Sequence, residues 1–71
     1  MKFEVLDIDR YSGHFVAHEV EADGPVEALA SLFDDVDQEM LDQMKNNIKL
    51  IREGEWVDKG EEELFIIRLK K

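Results

Sequence analysis

The segment Leu64-Phe65-Ile66-Ile67-Arg68-Leu69 is apolar at odd and even positions alike, with Arg68 the sole exception. In an extended chain alternate side chains point to opposite faces. A run that is apolar in both registers therefore needs cover above and below, the situation of an interior strand. The sequence predicts that this segment is the central strand of a sheet. The remaining chain must supply its neighbours within 71 residues, which is one domain, and a domain of this size buries only about 60% of its unfolded surface. There is no cysteine, so disulfides, thiolate metal sites and cysteine nucleophiles are excluded, and stability comes from packing or from self-association.

Two further strands read clearly. Lys2 to Asp9 is rich in Phe, Val, Leu and Ile. His14 to Glu21 alternates, with Val16, His18 and Val20 on one side and Phe15, Ala17, Glu19 and Glu21 on the other. The polar link Asp9-Arg10-Tyr11-Ser12-Gly13 between them predicts a hairpin. Asp23-Gly24-Pro25 then ends the second strand, and Pro25 suits the first position of a helix whose stripe is Val26, Leu29, Ala30 and Phe33. Asp35 with Gln38 resembles a capping box for a second helix. Val36, Met40, Leu41, Met44, Ile48 and Ile51 share its apolar arc, which extends the helix to about Arg52. The alternative stops the helix at Asn46-Asn47 and makes Ile48 to Val57 a strand, paired through Asp58-Lys59-Gly60-Glu61 with the last segment. Both readings stand on sequence alone. The predicted architecture is α+β: a small antiparallel or mixed sheet of three or four strands with two helices packed on one face, in the order β-β-α-α-β, with an extra C-terminal hairpin strand under the second reading.

That architecture leaves one face of the sheet bare. Phe3 and Val5 oppose Leu6 and Ile8, and Phe65 and Ile67 oppose Leu64 and Ile66, yet two helices cover one side only. Either Trp56 and its loop fold over the second face, or that face docks on a partner or on a second copy. Charge offers a second candidate surface. Residues 11 to 44 contain no Lys or Arg and hold Glu19, Glu21, Asp23, Glu27, Asp34, Asp35, Asp37, Glu39 and Asp42. The two ends of the chain balance, so this stretch carries the whole net charge of −9. Such a charge excludes direct binding to nucleic acid or to an anionic membrane, and it suits a basic partner.

Signals for chemistry are weak. Asp7, Asp9 and Gly13 imitate a calcium loop, but the glycine falls one position late and no glutamate occupies the twelfth. His14 and His18 are the only histidines, and four residues of strand hold them about 13 Å apart, too far to share a metal. The four glycines are scattered singly, so no phosphate-binding loop exists. The sequence thus predicts a cytoplasmic, non-catalytic interaction protein without cofactor or metal. It binds a protein partner or itself through Asp34, Asp35, Glu39 and Asp42 on the acidic helices or through Leu64 and Ile66 on the sheet. Two alternatives are a nucleic-acid mimic that occupies a basic groove and an enzyme with its site at an oligomer interface. The apolar residues on both strand faces also predict a homodimer.

Overall fold

The computed structural model describes all 71 residues. Turn residues divide the chain where the sequence places them, and in one place where it does not. Strands β1 (Lys2–Asp9) and β2 (Phe15–Glu21) form the N-terminal hairpin. In its loop the Asp9 carboxylate accepts hydrogen bonds from the Tyr11 and Ser12 backbone N–H groups, at 2.8 and 3.3 Å. Those two bonds hold Asp9 below the usual carboxylate range. The aspartate that imitates a calcium ligand is thus a turn former. Helix α1 (Pro25–Ala30) begins at its proline and ends sooner than its stripe suggests. Phe33 lies beyond it and reaches the core edge-on against Phe65, with ring centroids 5.9 Å apart.

Helix α2 (Gln38–Asn47) departs from expectation at both ends. Its cap is Asp37, whose side chain accepts from the Met40 N–H at 2.9 Å, and Asp35 stands outside the helix. At the other end the strand alternative holds. Ile48 is already extended while its N–H still bonds to Met44 O. Asn46 and Asn47 are poor helix formers, and the β-branched, apolar stretch after them pairs better than it coils. The segment from Ile48 to Val57 is nevertheless two strands. Gly54 adopts φ +79, open to glycine at little cost, and there the chain folds back between β3 (Lys49–Arg52) and β4 (Glu55–Lys59). Strand β5 (Glu63–Lys70) completes a sheet of five strands, where three or four were expected, and every pairing is antiparallel.

The strand order β2-β1-β5-β4-β3 puts β5 at the centre, as its two-sided apolar run requires. Its partner β1 comes from the opposite end of the chain, with Leu6 beside Ile66 and Glu4 beside Arg68. Both helices lie on the side to which Phe3, Val5, Phe65 and Ile67 point, and these residues form the core with Ala28, Leu29 and Met44. Only eight residues in all are buried, so this is one thin layer. Trp56 belongs to it: its ring lies 6.1 Å from that of Phe3. The tryptophan that could have shielded the second face is therefore spent on the first. No helix is long and apolar enough to cross a membrane.

Candidate functional site: the open face of the sheet

Antiparallel partners share a face, so the pairings fix what the open side of the sheet presents. Nearest the N-terminal hairpin loop, one row across the strands reads Phe15, Ile8, Leu64 and Lys59. The next reads Ala17, Leu6, Ile66, Val57 and Lys49. These rows make a contiguous apolar surface bounded on the β3–β4 side by two lysines. Phe15 is 64% exposed, while Leu6, Ile8, Val57, Leu64 and Ile66 are half-buried by one another.

The third row is ionic and spans the whole sheet: Glu19, Glu4, Arg68, Glu55 and Arg52, joined by Lys70. Lys70 Nζ lies 2.9 Å from Glu19 Oε1 and 3.8 Å from Glu4 Oε2. Arg68 bridges Glu4 at 3.7 Å and Glu55 at 3.2 Å, and Glu55 also holds Arg52 at 3.2 Å. Hydrogen bonding and charge from Lys70 draw the Glu19 carboxyl below its ordinary range, and Glu19 in turn raises Lys70. Every Lys or Arg on a strand belongs to this side of the sheet: Lys2, Lys49, Arg52, Lys59, Arg68 and Lys70. On the helical side the acids outnumber Lys45 heavily, and none of Asp34, Asp35, Glu39 or Asp42 takes part in an ion pair. The protein is thus acidic on one side and close to balanced on the other.

The six sequence-predicted site residues therefore fall into two groups on opposite sides of the molecule. Asp34 and Asp35 lie in the exposed link between the helices, and Glu39 and Asp42 on the outer surface of α2, where Gln38 Nε2 donates to Asp42 Oδ1 at 3.0 Å. Leu64 and Ile66 sit together on the open face. Leu6, Ile8, Phe15, Ala17 and Val57, which complete the apolar rows, are not among the sequence-predicted site residues. The alternation in β2 was the available signal for two of them; Val57 depends on knowing that β4 pairs with β5.

One solvent-open hollow, about 510 Å³, lies beside the hairpin loop and is lined in part by Asp7, Asp9, His14 and Glu63. The Glu63 carboxyl is raised, chiefly by a hydrogen bond with Asp7 and then by burial and by neighbouring acids. No group of three or more His, Cys, Asp or Glu side chains is arranged to hold a metal. On the helix-covered side of β4, Asp58 is the one buried charged residue, and desolvation raises its pKa. Comparison with models of known families, with curated proteins and with solved structures finds no match, so the open face stands on its own geometry.

Proposed function

We propose that this is a small acidic, non-catalytic interaction protein of the cytoplasm that docks through the open face of its sheet. The observation that supports this most directly is the pair of apolar rows centred on Leu6, Ile8, Leu64 and Ile66, which no other part of the chain covers. Contiguous apolar surface of this kind is uncommon on proteins that act alone. A cysteine-free chain also suits a reducing compartment. The test is retention of partner by the immobilised chain against that by Leu64→Lys. Apolar docking holds through high salt and is lost in the variant. Retention unchanged by Leu64→Lys refutes the reading.

A second reading is favoured by one observation, the exposed and unpaired Asp34, Asp35, Glu39 and Asp42 on the helical side. Such a surface suits a basic protein groove, as a nucleic-acid mimic would. Binding through it falls steeply with salt and is lost on Asp35→Asn, Glu39→Gln and Asp42→Asn together, with Leu64→Lys neutral.

A further inference from the structure

We infer that the partner on the open face is a second copy of this chain, stacked face to face so that two sheets form the centre of a four-layer dimer with helices outermost. This rests on the open-face reading and names its occupant. Area supports it first. Strands of eight, seven, four, five and eight residues at ~3.3 Å per residue and ~4.8 Å apart offer a face of roughly 500 Å². Two such faces bury on the order of 1,000 Å², about the least that a specific interface needs. The thin core gives the same direction, because a single layer of seven apolar residues without disulfide or metal is the situation in which small domains associate.

Electrostatics selects the arrangement. Two molecules of net charge −9 repel wherever their acidic sides meet, which disfavours contact through the helices. Face-to-face stacking points both helical layers outward. With sheets ~10 Å apart and helices ~10 Å across, the acidic layers stand about 30 Å from one another, several times the ~8 Å screening length at physiological salt. The direction of the strands adds complementarity. The open face runs from Lys2 and Lys70 at one end to the loop acids Glu61 and Glu62 at the other. A two-fold axis across the strands sets each basic end toward the partner's acidic end and lays the apolar rows on one another. The Glu19–Lys70 and Glu55–Arg68 pairs are left toward the rim, so no ion pair has to be desolvated at the centre.

Sedimentation velocity across micromolar concentrations tests the inference, with Phe15→Glu and Ile66→Lys as variants and circular dichroism as the check on folding. Phe15 is on an edge strand and exposed, so its replacement leaves the monomer folded even where Ile66→Lys does not. The expected result is a species of twice 8.3 kDa that persists in high salt, weakened at least ~10-fold by Phe15→Glu through loss of one buried aromatic. A wild-type monomer overturns the inference, as does a dimer that both folded variants retain. Assemblies larger than two that dissolve in salt also overturn it, because they mark open face docked on the acidic helices of the next copy. Binding of anilinonaphthalene sulfonate separates the two levels of the argument. A monomer that binds the dye, with binding lost in Phe15→Glu, removes the second copy and keeps the open face as a docking site; a monomer that excludes the dye removes both.

Discussion

The two faces of this sheet are made by the same strands, residue by alternate residue, and they have opposite characters. On the helical side Phe3, Val5 and Ile67 are at most 1% exposed, and the strands carry no Lys or Arg there. On the other side equally apolar residues sit one position away, half-covered only by their neighbours, and every strand cation lies among them. The difference teaches that apolar content does not by itself make a core. Helices roof one face because the link after β2 delivers α1 and α2 there, and nothing remains to roof the other.

Truncation of neighbours in β5 is the sharpest way to break the comparison. Ile67→Ala removes fully buried methyl groups and is expected to cost about 2–5 kcal/mol, whereas Ile66→Ala costs under ~1.5 kcal/mol in chemical denaturation at concentrations too low for association. Equal losses would mean that the open face is covered within one chain. The ionic row comes next. Glu55 is the best-covered member, with its side chain 14% exposed, and it serves both Arg52 and Arg68. Glu55→Gln should cost about 1 kcal/mol, a loss that shrinks in high salt; a loss insensitive to salt would assign it to packing.

Asp58 tests the roofed face by pH. Burial raises its pKa, so the ionised form opposes folding. Its contribution to stability is greatest below the unfolded value near 3.8 and is lost as pH climbs through the raised folded value. Asp58→Asn is expected to raise the melting temperature by a few degrees at neutral pH, with no gain in acid; a gain at every pH would point to shape and not charge. The smallest effect belongs to the acidic helices. Asp35→Asn, Glu39→Gln and Asp42→Asn together should stabilise by a few tenths of a kcal/mol at low salt, an increment that vanishes when salt is added. A destabilised triple variant would show that these carboxylates hold structure.

Much of the fold is legible in the chain, for identifiable reasons. Strands β1, β2 and β5 announce themselves by alternation or by two-sided apolarity, and Gly13, at φ +79, marks the hairpin turn. The region from Ile48 to Val57 resists reading because Ile48 and Ile51 continue the helical arc of Met40 and Met44. Only the pairing of β3 with β4, and of β4 with the next strand β5, tips it to strands. Asp37 takes the cap from Asp35 by a two-residue shift of the kind that local geometry, not composition, decides. Of the site, Leu64 and Ile66 could be found by alternation, whereas the ionic row could not: Glu19, Glu4, Lys70 and Glu55 come from four strands and become neighbours only through register.

The pairing of β1 with β5 has a consequence for how the protein comes into being. Synthesis delivers the chain from one end, and the strand at the middle of the sheet is the last of the five to emerge. Until it does, the β1–β2 hairpin and the β3–β4 hairpin are two halves without a seam, each with an unpaired inner edge. Closing that seam brings together residues as distant as Lys2 and Lys70, a contact of high sequence separation that folds slowly. While the nascent chain waits, its apolar edges are open to whatever is nearby.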